Sequence, residues 1–267
     1  MIAVLLACSD IAVATYDGPP RTFASSFESA AEFADFYSVP SGEWDSQHDY
    51  ASELVHSGAT AHRAWIDAPR AADNDGIEYR PHRAYPTIQL HKTDDGVYRT
   101  PCLVTLWVHL DMPLVDRPPG DIDDWFSFAT LTPDQSDNWN RTVLVNVGPD
   151  GYARLMHVPR QGEQEYTEQI SAPDDPDGAL LFPFRQWVRL DVYLDLDADN
   201  GEAIAWQDGV RISAARVEGG NGALAQAHFG LYAAAAVPTG TIVNDDLSIR
   251  EIADETEALA LLAAEIE

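Results

Sequence analysis

Between residues 22 and 251 hydrophobic and polar positions alternate in short runs, broken by Pro, Gly, Asp and Asn, with almost no helical periodicity. A period of two sends successive side chains to opposite faces of a sheet. In residues 82–91 the set Arg83, Tyr85, Thr87, Gln89, His91 opposes Ala84, Pro86, Ile88, Leu90, with Pro86 marking an edge or bulge. In residues 102–111 Thr105, Trp107, His109 and Asp111 oppose Cys102, Val104, Leu106, Val108 and Leu110. In residues 187–195 Trp187, Arg189, Asp191 and Tyr193 oppose Val188, Leu190, Val192 and Leu194. Many short strands with turn signals predict an all-β fold: a two-sheet antiparallel β-sandwich of the jelly-roll kind over 22–251, its aliphatic sets buried between the sheets.

The flanks differ. Residues 252–267 form a tail in which Leu259, Leu262 and Ile266 follow helical spacing, with Asp254 or Thr256 as N-cap, which predicts one short C-terminal helix. Residues 1–21 are an N-terminal segment whose apolar start closes on Leu5-Leu6-Ala7-Cys8. That resembles the end of a bacterial lipoprotein signal, with a lipid anchor on Cys8; a plain first strand with a free Cys8 is the other reading. Low-order stretches are expected at 116–124 and 172–178.

Composition narrows the function. Lys plus Arg is 16 against 44 Asp plus Glu, a formal charge of −28. No basic surplus exists to displace counterions, so charge-driven nucleic-acid binding is excluded and adhesion to anionic membranes disfavoured. No apolar run is long enough to insert in a membrane as a helix. Lys92 is the only lysine. An acidic, lysine-poor chain fits a salt-rich habitat, where self-repulsion is screened, and equally a genome that replaces Lys with Arg. Cys8 and Cys102 make no disulfide framework, and no metal-binding spacing appears among cysteines or histidines, so no cofactor is expected.

Catalytic signatures with fixed spacing are absent: no GxSxG, HExxH, P-loop or GxGxxG. Asp195, Asp197 and Asp199 could serve as paired carboxylates or hold a structural calcium ion, but Asn200-Gly201 follows at once and predicts a hairpin tip. His157 and His228 sit in strand-like runs. What stands out is the polar face of each long run, rich in aromatics, Arg, His and Gln where a solvated face would carry more Lys, Glu and Thr. Such a face suits a sugar polymer, whose rings stack on aromatics while its hydroxyls seek polar partners. Tyr85, Trp107, His109, Arg189 and Tyr193 are therefore the candidate substrate-binding residues.

Three stretches resemble the concanavalin A-like jelly rolls, in particular polysaccharide lyases of the alginate-lyase and heparinase-like groups. They are RAYPTIQ at 83–89; WVRLDVY at 187–193 leading to AWQDG at 205–209; and HFGLY at 228–232 followed by VNDDLSI at 243–249. FASSFESAAEFADF at 23–36 is similar to the opening strand and turn of such folds. The resemblance implies β-elimination on a uronate polymer, outside the cell or on its surface. It makes Tyr232 the counterpart of the catalytic tyrosine, acting as acid or as acid and base, and Arg83 with Gln89 the groups that neutralise the uronate carboxylate. His228, His157 and His91 are the candidate bases. Gln89-Leu90-His91 matches the Gln-x-His motif in letters but shares a run with Arg83, whereas residues 125–130, which chain order puts in that role, hold neither Gln nor His. A non-catalytic glycan-binding or adhesion module using the same aromatic face is the alternative; a glycoside hydrolase using Asp191 or Asp195 is a third.

Overall fold

A computed structural model describes residues 18–33, 45–68, 81–92, 96–116, 124–136, 138–160, 163–167 and 179–264. Cys8, with its anchor and any pairing to Cys102, falls outside them, as do Ile266 and the stretches 117–123 and 172–178. Among the described residues the chain forms two large antiparallel sheets, of eight and seven strands, and one small two-stranded sheet. The first sheet runs in the order Val210–Arg216, Glu202–Gln207, Trp187–Asp195, Cys102–Asp111, Gly240–Glu251, Ala61–Ile66, Ser46–Ala51, with Thr22–Ser25 also paired to Gly240–Glu251. The second runs Glu165–Tyr166, Ala153–Val158, Thr142–Val147, Phe126–Thr132, Gln226–Ala233, His82–Ala84, with Thr87–Ile88 also on the Gln226–Ala233 strand. Connections cross repeatedly between the sheets, as in a jelly roll.

The aliphatic sets meet between the sheets. Val104, Leu106 and Val108 from one strand and Val188, Leu190 and Val192 from its neighbour pack with Phe126, Phe128, Phe229 and Leu231 of the facing sheet. Residues 102–111 and 187–195 form strands over the whole predicted spans. The 82–91 run does not. It breaks at Tyr85-Pro86 into two short strands and ends in a 3-10 turn at Leu90–Lys92, as expected where a proline offers no N–H to the ladder. Its alternation survives, because Ala84, Ile88 and Leu90 still point into the core. Glu251, at the end of its strand, accepts hydrogen bonds from both Arg21 and Arg99, fastening the described start of the chain to the sheet.

The C-terminal helix is present at Glu255–Ala264. Asp254 caps it: its Oδ1 accepts the Glu257 N–H at 3.0 Å, while Glu257 Oε2 accepts the Ala253 N–H at 2.8 Å, a reciprocal cap. The buried stripe is Ala258 and Leu262, not Leu259, which is 47% exposed. With Ile252 these residues cover Leu103, Tyr193, Ile204 and Trp206 on the outer side of the first sheet. The 195–201 segment is the hairpin tip expected: Asp197 Oδ1 accepts the N–H groups of Asp199 and Asn200, so that carboxylate caps its own turn. Among the described residues no helix is long and apolar enough to cross a membrane.

Candidate functional site

The chemistry expected of the chain divides between two faces that look away from each other across the core. On the second sheet, Ala227, Phe229, Leu231 and Ala233 point inward, while His228 and Tyr232 point out. Across the ladder Tyr232 faces Arg83 on one side and Ser127 on the other; His228 faces Thr87 and Thr130. The register slips between Phe229 and Tyr232, and Gly230 there has φ +135. A Cβ on Gly230 would lie 2.9 Å from Tyr85 Cβ and 3.0 Å from the Ala84 carbonyl oxygen, so only glycine lets the Tyr85 segment close over this strand.

That closure builds an aromatic box. The Tyr85 ring lies 4.2 Å from the His228 imidazole, centroid to centroid, and the Trp139 ring meets it edge-on at 4.0 Å. Tyr232 stands 6.4 Å from His228, with Trp125 edge-on to it at 5.0 Å and the Arg83 guanidinium 5.5 Å from its ring centre. Trp139 is held in place by its loop despite a φ of 51: Asp134 Oδ2 accepts the Asn140 N–H, and Thr132 donates its hydroxyl to the Asn140 carbonyl. His228 is 8% exposed, and neither ring nitrogen has a hydrogen-bond partner. Burial, then the positive charge of Arg83, hold its pKa well below the usual histidine value, so the imidazole is neutral at physiological pH.

Of the candidate residues, then, Arg83, Tyr85, His228 and Tyr232 converge. Gln89 is not brought into this cluster, and its amide is committed: Nε2 donates to Gln226 Oε1 at 2.9 Å and Lys92 donates to its Oε1 at 2.6 Å. His91 sits on the 3-10 turn, its Nδ1 3.3 Å from the Ala225 carbonyl. His157 is on the inward side of its strand, opposite Arg154 and Met156. Its Nδ1 donates to the Thr142 carbonyl at 3.0 Å and its Nε2 accepts the Glu218 N–H at 2.9 Å, so both nitrogens hold backbone together.

The remaining four, Trp107, His109, Arg189 and Tyr193, are on the outer side of the first sheet. The Trp107 ring is stacked under His56 at 3.8 Å, and His109 lies beside Trp187. Arg189 is buried against Asp191, which also accepts the Thr105 hydroxyl at 2.7 Å. Tyr193 is covered by the C-terminal helix, where burial, followed by Asp195 and other nearby carboxylates, pushes its hydroxyl up to about 12. The hydrolase carboxylates Asp191 and Asp195 belong to this side too. Among the described residues no group of three or more His, Cys, Asp or Glu side chains could hold a metal ion.

Trp125 and Trp139 complete the box and were not singled out from the sequence. The signal available was weak: Trp139 sits in a polar loop and Trp125 just ahead of a strand.

No family model matches the chain, and no curated protein is similar to it in sequence. Similarity appears among solved structures. An endo-β-1,4-glucuronan lyase from the fungus Trichoderma reesei superposes with a TM-score of 0.52 at 10% identity, over 79% of this chain and 89% of that one. Cellulose induced protein Cip1 superposes with a TM-score of 0.54 at 14% identity, over 85% and 95% respectively. At these identities the likeness shows the fold, and it is the jelly-roll fold expected from the sequence.

Proposed function

We propose that the protein is a polysaccharide lyase that cleaves a uronate polymer by β-elimination at the Arg83–His228–Tyr232 face, working outside the cell or at its surface, where such polymers are met. The observation that carries this reading is His228: a neutral imidazole, almost wholly buried, walled by Tyr85 and Trp139, with both nitrogens unmet. Leaving a buried polar group unsatisfied costs about 1–3 kcal/mol, a cost that a bound ligand removes. Arg83 supplies the positive charge that neutralises a uronate carboxylate and makes its C5 proton acidic. His228 takes that proton as the C4=C5 bond forms; the C4–O4 bond breaks, and the Tyr232 hydroxyl protonates the departing oxygen. Proton exchange between the imidazolium, the tyrosinate and solvent resets both groups. The fold shared with a glucuronan lyase supports the same reading.

The test is ultraviolet absorbance from the unsaturated product on alginate, glucuronan and glycosaminoglycans. Tyr232→Phe should abolish product while leaving binding nearly intact, since it removes only a hydroxyl used in proton transfer. Arg83→Ala should weaken both, because it acts in ground and transition states alike. A second reading, a non-catalytic glycan-binding module, is favoured by the same box of Tyr85, Trp125 and Trp139. Binding to these polymers without product from any of them would establish it in place of the lyase.

A further inference from the structure

The outward row that contains Tyr232 continues across three more strands. Cross-strand pairing runs Arg83, Tyr232, Ser127, Asn146, Arg154, and all five side chains lie on the face turned away from the core. The neighbours of the last two confirm the facing: Val145 and Val147 flank Asn146 and point inward, as do Ala153 and Leu155 beside Arg154. Asn146 is 2% exposed and its Oδ1 has no partner; its Nδ2 contacts only Met156 Sδ, at 3.7 Å. Arg154 donates through Nη2 to Asp150, which balances its charge, but its buried Nε has no acceptor. One unmet acceptor and one unmet donor thus stand on paired positions of the same sheet face.

Resting on the lyase reading, we infer that Asn146 and Arg154 form a distal subsite that takes the hydroxyl groups of a neighbouring sugar unit in the same chain. The donor and acceptor match a hydroxyl pair: one hydroxyl donates to Asn146 Oδ1, and an oxygen beside it accepts from Arg154 Nε. A second carboxylate is not what this subsite selects, because Asp150 already neutralises Arg154; the demand for a uronate lies at Arg83. Adjacent strands are ~4.8 Å apart, so Asn146 and Arg154 lie about 10–14 Å from Tyr232 along the row. A pyranose unit advances by about one such spacing, which puts the subsite two to three units from the cleaved bond. The substrate is therefore a chain of about four units or more, running across the strands.

The experiment is binding of glucuronan oligomers of two to six units to Tyr232→Phe and to Tyr232→Phe carrying Asn146→Leu, with melting temperature measured alongside. Affinity should step up when the oligomer reaches about four units. Asn146→Leu should remove about tenfold of that step and leave the dimer unaffected. The same substitution should leave the melting temperature equal or higher, because it replaces an unsatisfied buried amide by an apolar side chain of similar size. Arg154→Gln should lose the step likewise. Affinity unchanged at every length, or lowered equally for dimer and hexamer, would overturn the inference. If the length step behaves as stated but the wild-type protein yields no unsaturated product, the lyase fails and the subsite stands.

Discussion

The protein should lose stability on mild acidification through His62, and the size of the loss follows from where this residue sits. His62 is fully buried between the sheets, beneath Gly230 of the site strand. Its Nδ1 accepts from Asn244 Nδ2 at 3.2 Å and its Nε2 donates to His48 Nδ1 at 3.1 Å, a pair of bonds that a neutral ring makes and an imidazolium cannot. Burial first, and His48 second, lower its pKa from 6.5 to about 3. The folded value lies below the unfolded one, so the unfolded chain binds the extra proton as pH falls. The contribution is whole above 6.5 and is lost progressively between 6.5 and about 3. Each pH unit in that window removes about 1.4 kcal/mol, giving about 2 kcal/mol by pH 5. For a chain of this size that is a fall of roughly 4–8 °C in melting temperature. Protonation of carboxylates works the other way by relieving self-repulsion, so the comparison is between wild type and His62→Gln, by urea unfolding at pH 7 and pH 5. The wild type should lose about 2 kcal/mol more than the variant over that interval. Parallel pH dependence in the two proteins would refute the reasoning.

Three further outcomes are expected. Gly230→Ala places a Cβ 3.1 Å from His62 Cε1 and 2.9 Å from Tyr85 Cβ at φ +135; it should cost about 1–3 kcal/mol in unfolding experiments and sharply reduce turnover, because Tyr85 has to move off His228. Asp254→Ala removes the helix cap and should lower stability by about 1 kcal/mol with kcat/KM unchanged, since the helix covers the opposite sheet; an activity loss as large as that of Tyr232→Phe would contradict the two-face arrangement. Melting temperature should rise between low and molar salt as the formal charge of −28 is screened, and a flat or falling curve would remove salt adaptation as an explanation for the composition.

The strands most legible in the sequence were those in which one face alone meets the core. Residues 102–111 and 187–195 alternate without interruption, and both became strands over their whole lengths. The 82–91 run alternates as well, but Pro86 cut it and Gln89 turned from a surface position into a buried amide pair with Gln226, a contact 137 residues away in the chain. Alternation also marks a polar face without saying which sheet owns it. Trp107 and Tyr85 looked equivalent, yet they look outward on opposite sides of the sandwich. Asn146 was hidden for a related reason: TVLVNV is buried at every position, so its pattern is that of a wholly interior strand. Only long-range register, which depends on strand partners rather than on local composition, brings Asn146 into line with Tyr232.

An acidic chain of formal charge −28 should repel a polyanion, and the range over which each charge acts decides how much that matters. The formal charge acts at long range and is screened within ~8 Å at physiological ionic strength. Beside His228 the local charge is positive: after burial, it is Arg83 that holds the imidazole pKa down. At the far end of the row Asp150 is already paired with Arg154. Global repulsion therefore governs how often a polymer arrives, and local charge governs what happens to it once seated. Added salt up to about 0.2 M should accordingly raise kcat/KM on a long uronate polymer by increasing encounter, while kcat, set by Arg83, His228 and Tyr232 inside the seated complex, changes little. Most polysaccharide-binding sites that rely on a basic surface behave in the opposite sense, losing affinity as salt screens the attraction. A kcat/KM that falls steadily from the lowest salt upward would mean that the polymer is drawn by a basic surface elsewhere on the protein, and would sink the assignment of recognition to Arg83.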